Sequence, residues 1–250
     1  MTEYRVIDLI GELKKGIKMI DKNKIKVVAF DADDTLWVNE PFFRSAEAKF
    51  FQILEKYIEK RDFQDELYAN EVKNLHLFGY GAKGFMLSMI ETALELTNYK
   101  ISGEDIQIII NMGKEILSYP INKYEGIDDV LKKLGENYKV ICITKGDLLD
   151  QESKVARSGL GDYFEEVHVV NEKNPETYQN ILNGHNIDVS EFIMIGNSMK
   201  SDVLPVVELG ASAVHIPCVA QWAHEVVEPS REQREKFLEL KKATELLNYL

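Results

Sequence analysis

The stretch KVVAFDADDTLW, residues 26–37, decides how the rest of the chain is read. Val27, Val28, Ala29 and Phe30 are a run of strand-forming residues that stops at three carboxylates, Asp31, Asp33 and Asp34, followed by Thr35. Carboxylates packed that closely repel one another. The arrangement needs a cation, hydrogen bonds or a shared proton to compensate it. Taken alone, an acidic turn or a helix cap after a strand also accounts for it, since Asp serves both.

On the N-terminal side, Val6, Leu9, Ile10, Leu13 and Ile17 recur at helical spacing, which predicts an amphipathic helix over 4–20. Residues 1–24 are read as a helical extension. On the C-terminal side the period turns helical over 39–119. Phe43, Ala46, Phe50, Leu54 and Tyr57 make one apolar face, Phe85, Met89, Ile90, Ala93 and Leu94 a second, and Ile106, Ile109, Ile110 and Ile116 a third. Ser102 with Asp105 three residues on predicts a capping box for the last helix, and Pro120 closes the insertion.

From Glu125 the texture alternates. Predicted helices over 128–134, 148–158, 176–182 and 203–209 separate predicted strands over 140–144, 167–170, 192–196 and 213–216. Strands spaced by such helices imply parallel pairing through right-handed crossovers. The fold class is therefore α/β, a Rossmann-like parallel sheet with helices on both faces and an inserted α-helical domain. The core is assigned to 25–38 and 120–250, the insertion to 39–119. Residues 231–250 carry a charged helical pattern.

A net charge of −12 argues against a nucleic-acid backbone or an anionic membrane as partner. No apolar run approaches the roughly 20 residues of a membrane span, and residues 1–24 lack the apolar core of a secretion signal, so a cytoplasmic protein is the expectation. Cys142 and Cys218 belong to no CxxC or Cys/His array, which speaks against a disulfide framework or thiolate metal site. The five histidines, His76, His168, His185, His215 and His224, are scattered and read as structural.

Ligands of open parallel sheets sit beyond the carboxyl ends of the strands. Polar groups gather there three times: Asp31 and Asp33 after the first strand, Thr144 and Lys145 after the second, Asn197 and Asp202 after Gly196. Lys173, in EKNPETY, stands just upstream of the third. In FDADDTL, ITKGD, EKNPETY and GNSMKSD, in that order, the chain resembles the haloacid dehalogenase-like (HAD) hydrolase superfamily over roughly residues 25–220, and the helical insertion resembles that family's cap.

The resemblance implies a phosphatase acting on a small phosphorylated metabolite. Asp31 would be the nucleophile that forms an aspartyl phosphate, and Asp33 the acid and then base. Mg2+ would neutralise the repulsion between carboxylate and phosphate; its candidate ligands are Asp31, the Asp33 carbonyl, Asn197 and Asp202. Thr144, Lys145 and Lys173 would hold the phosphoryl oxygens. Many members have Asp where this chain has Asn197. Asp202 is therefore expected either to complete the metal site or to pair with Lys173, while Asp34 is left as a turn residue or a support behind the site. An acidic residue at Asp33 favours phosphate esters over haloacids, because halide leaves without a proton. A phosphomutase, or a non-catalytic phosphate-binding protein such as the shorter response-regulator receivers, is the alternative.

GYGAKG, residues 79–84, matches GxGxxG but lacks the strand a dinucleotide site requires. It reads either as a loop of the insertion whose Tyr80 and Lys83 contact substrate or as a plain helix–helix turn. Trp222 and His224, in HIPCVAQWAHE, read as packing and surface residues.

Overall fold

The structure is a computed structural model that describes residues 20–59 and 61–250. The helix expected over 4–20 lies outside the described residues, except for Ile20. Val27–Phe30 forms β1, with all four residues buried, and it sits inside a parallel sheet rather than at an edge. Its neighbours are β2 (Lys139–Lys145), through Val28↔Val140 and Phe30↔Cys142, and β4 (Phe192–Gly196), through Val28↔Ile193 and Phe30↔Ile195. Outward lie β3 (Glu166–Val170) beside β2, then β5 (Ser212–His215) and β6 (Leu238–Glu239) beside β4, giving the order β3-β2-β1-β4-β5-β6.

Side chains alternate across the sheet, so each strand feeds two cores. Val28, Phe30, Val140, Cys142, Ile193 and Ile195 face α5 (Ile127–Gly135) and the C-terminal segment. Val27, Ala29, Ile141, Ile143 and Met194 face α7 (Pro175–Gly184) and α8 (Leu204–Leu209). Helix α6 (Leu148–Ser158) follows β2. No helix among the described residues is long and apolar enough to cross a membrane.

Between β1 and α5 stand four helices, α1 (Glu40–Leu54), α2 (Gln64–Phe78), α3 (Ala82–Leu96) and α4 (Gly103–Ser118), with their own core around Phe50, Phe63, Met89 and Ile109. The sequence showed three apolar faces; α2 escaped notice because part of its buried stripe is polar. Asn70 donates to Thr92 and Glu95, and Asn74 to Ser88 and Glu91, so amides occupy positions where periodicity seeks apolar residues. Ser102 does cap α4 by accepting from Asp105 N–H, but the Asp105 carboxylate binds Lys56 and Tyr57 instead of closing the box. GYGAKG is the α2–α3 turn, with Gly79 and Gly81 both at positive φ (68° and 111°).

The charged pattern over 231–250 is not one helix. It yields the single turn α9 (Arg231–Arg234), the edge strand β6 and a 3-10 turn over Ala243–Asn248. Pairing of Leu238 with Val214, and burial of Phe237, Leu240 and Leu246 in the two sheet cores, outweigh helical spacing.

Candidate active site

Backbone pairing stops β1 at Asp31, whose N–H still donates to Ile195 carbonyl (2.8 Å); the chain then turns through Asp34 at φ 61°. Asp34 supports the turn. Its carboxylate accepts from the N–H groups of Asn39 and Glu40 (2.9 Å each) at the start of α1, and burial pushes it up to about 6 against those bonds.

Asp31 is buried, with one oxygen against Lys173 Nζ (2.6 Å) and the other accepting from Thr35 Oγ1 (2.9 Å). Burial pushes its carboxyl up to about 7, against the pull of Lys173 and with Asp202 adding to the rise. Lys173 is also held by Asp202 (2.7 Å), whose second oxygen accepts from Ser198 N–H (2.9 Å). Both Asp202 oxygens are thereby engaged. Of the two roles expected for it, the geometry displays the pairing with Lys173.

Asn197 lies across from Asp31. With its amide nitrogen turned inward, it donates to Asp31 Oδ2 (3.1 Å), Thr35 Oγ1 (3.2 Å) and Asp33 carbonyl (3.2 Å); with its oxygen inward, it faces two of those acceptors without a proton to share. The second orientation is the one a cation would select. Mg2+ takes oxygens at about 2.1 Å in octahedral geometry, which puts adjacent ligands about 3 Å apart. Asp31, the Asp33 carbonyl and Asn197 thus fit Mg2+ as an all-oxygen donor set. A second group, Glu166, His168 and His185, brings its donor atoms within 4.8 Å of one another on β3 and at the end of α7. Its imidazoles suit a transition metal rather than Mg2+.

Asp33 points to the other side, toward α6. It accepts from Trp37 Nε1 (2.7 Å), Gln151 Nε2 (2.8 Å) and Lys154 Nζ (2.9 Å). Burial alone would raise it, but Lys154 and these hydrogen bonds prevail and hold it below the usual carboxylate range. Gln151 Oε1 also accepts from Thr144 Oγ1 (3.1 Å), which links the ends of β1 and β2. Sequence reasoning missed Gln151 and Lys154. Their signal was present, since positions three apart on the helix that follows ITKGD share one face.

Lys145 was expected to hold phosphate. In the structure its ammonium is taken up by Glu225 (2.8 Å), Glu172 (3.2 Å) and Ser201 Oγ (2.9 Å) and lies 3.9 Å from the centre of the Tyr80 ring. Burial would raise Glu225, but Lys145 and the hydroxyls of Ser198 and Ser201 bring it down to about 2. Glu225 had no local sequence signal. Tyr80 does line the cavity, donating to Glu172 (2.7 Å). Lys83 does not line it and pairs with Asp147 (2.9 Å) at the surface. Trp222, read as packing, stands in the cavity wall with its ring edge against Tyr80. His215 is structural, bridging Asn197 carbonyl and Glu239 (3.1 Å each).

These groups open onto one cavity of about 200 Å³, walled by strand ends on one side and by α1, α2 and α3 on the other. The arrangement can hold a cation beside a carboxylate and place a second carboxylate and an ammonium near the same point.

A sequence family described as haloacid dehalogenase-like hydrolase matches residues 25–210. A haloacid dehalogenase-like family hydrolase from Xanthomonas campestris superposes with a TM-score of 0.78 at 41% identity, over 88% of each chain. A 2-haloacid dehalogenase from Pseudomonas syringae superposes with a TM-score of 0.59 at 20% identity, over 90% of this chain and 97% of the other, and shares the fold. Among curated proteins, glyceraldehyde 3-phosphate phosphatase from Pyrococcus abyssi is 28% identical over 100 residues, 38% of this chain. The matched stretch spans 42% of that relative's length.

Proposed function

This chain belongs to the haloacid dehalogenase-like hydrolase family, and from that premise we propose that it is a Mg2+-dependent phosphatase of small phosphorylated metabolites, with the helices of 39–119 acting as its cap. The observation that carries the reading is the convergence of Asp31, Asp33, Thr144, Lys173 and Asn197 on one cavity from separate strand ends. The likeness to a protein named glyceraldehyde 3-phosphate phosphatase supports it.

Asp31 attacks phosphorus through a carboxylate oxygen, and the ester P–O bond breaks to give an aspartyl phosphate and an alkoxide. Asp33 delivers a proton to that alkoxide, then takes one from the water that attacks the aspartyl phosphate and returns Asp31. In the structure Asp33 is held ionised by Lys154, which is the state that accepts the proton; the donor state requires loosening that pair. Lys173 holds Asp31 and would meet the phosphoryl oxygens beside it, whereas Thr144, also expected to bind those oxygens, donates its hydroxyl to Gln151 and so orients that side chain behind Asp33. Bound Mg2+, held by Asp31, the Asp33 carbonyl and Asn197, would supply charge neutralisation for the approaching phosphate.

The test is release of inorganic phosphate from 4-nitrophenyl phosphate with and without Mg2+, in wild type and Asp31→Asn. Turnover that needs Mg2+ and falls at least ~1000-fold in Asp31→Asn is the expected result for loss of a covalent nucleophile. Turnover unchanged in Asp31→Asn would remove the mechanism.

A further inference from the structure

The wall of the cavity supplied by α1 and α2 is acidic. Glu40, Glu47 and Glu71 stand there with one guanidinium, Arg44. Arg44 is fully committed: its Nε lies 3.0 Å from Glu40, one terminal nitrogen 2.9 Å from Glu47, and the other donates to Gln221 carbonyl (3.2 Å). Three carboxylates against one bound cation leave this wall with excess negative charge. The lysines that line the cavity do not relieve it, because Lys173, Lys154 and Lys145 are each tied to a carboxylate elsewhere, Asp31, Asp33 and Glu225 respectively.

Glu71 is the least satisfied of the three. Among the described residues its hydrogen-bond donor is Trp222 Nε1 (3.1 Å), an uncharged group. Burial pushes Glu71 up to about 7, with Trp222 and Arg44 only partly offsetting it, and pushes Glu40 to about 7 against Arg44. Wall carboxylates that are costly to ionise, beside an indole, form a place where an incoming cation gains both ion pairing and aromatic contact. An incoming anion meets repulsion there.

We propose that this wall recognises a protonated amine on the leaving alcohol, so that the preferred substrates are phosphate monoesters carrying an ammonium group. This rests on the phosphatase reading and adds the substrate class to it. It also implies rejection of esters whose alcohol bears a carboxylate or a second phosphate. Glu71 and Glu47 are the specificity residues; neither is needed for the bond-breaking step.

The experiment compares kcat/KM for phosphate release from ω-aminoalkyl phosphates of several chain lengths with ω-hydroxy and ω-carboxy analogues of the same lengths, at pH 8. Glyceraldehyde 3-phosphate serves as a neutral member and 4-nitrophenyl phosphate as the generic ester. At the best length, the amino ester should exceed the hydroxy ester by about 10-fold or more, the scale of a charge-assisted hydrogen bond, with the carboxy ester slowest. Glu71→Gln, or Glu47→Gln should the first variant fold poorly, should bring the amino-to-hydroxy ratio toward one. That ratio, taken within one variant, does not depend on how much of it is folded. Hydroxy esters equal to or better than amino esters at every length would overturn the proposal, as would a ratio unchanged in both variants. If no ester is hydrolysed, 4-nitrophenyl phosphate included, the phosphatase reading itself fails and this inference falls with it.

Discussion

At Asp33 two effects oppose each other: burial favours the neutral acid, while Lys154 at 2.9 Å favours the anion and prevails. Lys154 is itself buried and also bonds Asn39 Oδ1 (3.0 Å), so removing its charge strands a buried carboxylate. Lys154→Met should lower stability by about 3 kcal/mol and raise the kinetic pKa belonging to Asp33, read from thermal melts and the pH dependence of kcat. Glu71 shows the reverse balance. Its folded pKa of about 7 lies above its ordinary value of 4.5, so the folded state binds the proton more tightly. Its contribution to stability is therefore complete below about 4.5 and lost as pH rises through 7. Glu71→Gln, which keeps an acceptor for Trp222, should match wild type near pH 4.5 and exceed it by about 1–2 kcal/mol at pH 8. Melts across that pH range check the sign.

Among the glycines of the described residues, Gly196 at the end of β4 has the least room for a side chain. A methyl group on Gly196 would fall inside the Asp202 carboxylate, which Lys173 and Ser198 N–H hold in place. The π-helical turn Met199–Val203 that follows carries Asp202 back under the strand tip, so neither partner can withdraw cheaply. Gly196→Ala should displace Asp202, loosen Lys173 and cut turnover at least ~10-fold along with a fall in melting temperature. Gly113, inside α4, packs against Met86 of α3, whose Sδ and Cβ would lie 2.7 and 2.8 Å from an added methyl, so the side chain must move and the two helices part slightly. Gly113→Ala should therefore cost about 1–2 kcal/mol with turnover retained. Equal loss of activity in the two variants would refute the role assigned to the β4 tip.

Over the whole molecule, the four inserted helices have their own apolar core, and the contacts that join them to the strand-end loops and to α6 include several polar ones. Tyr80 reaches Glu172 (2.7 Å), Trp222 reaches Glu71 (3.1 Å), and Arg157 donates to the carbonyls of Tyr119 (2.7 Å) and Leu117 (3.1 Å). An apolar core of its own, with polar joints, permits the two parts to open separately. Phe50→Ala, at a fully buried position of the inserted core, should cost about 3–5 kcal/mol. Hydrogen exchange should show that loss concentrated in residues 40–118, with strands β1, β2 and β4 still protected. Uniform loss across both parts would mean a single cooperative unit instead.

What the sequence determined by itself was local. The strand of Val27–Phe30, its acidic tip and the other strand ends at Thr144 and Asn197 follow from apolar runs and abrupt changes of composition, which act over a few residues. Tertiary structure alone decided which charge pairs with which. Asp202 meets Lys173 across 29 positions, Lys145 is taken by Glu225 across 80, and Asp33 is held by Lys154 across 121. The helix α2 and the edge strand β6 were hidden for a related reason, since one buries amides and the other owes its form to pairing with β5. Side-chain spacing along the chain records local conformation. Ion pairing in a buried cavity instead depends on distance through space, which only the assembled sheet and its inserted helices establish.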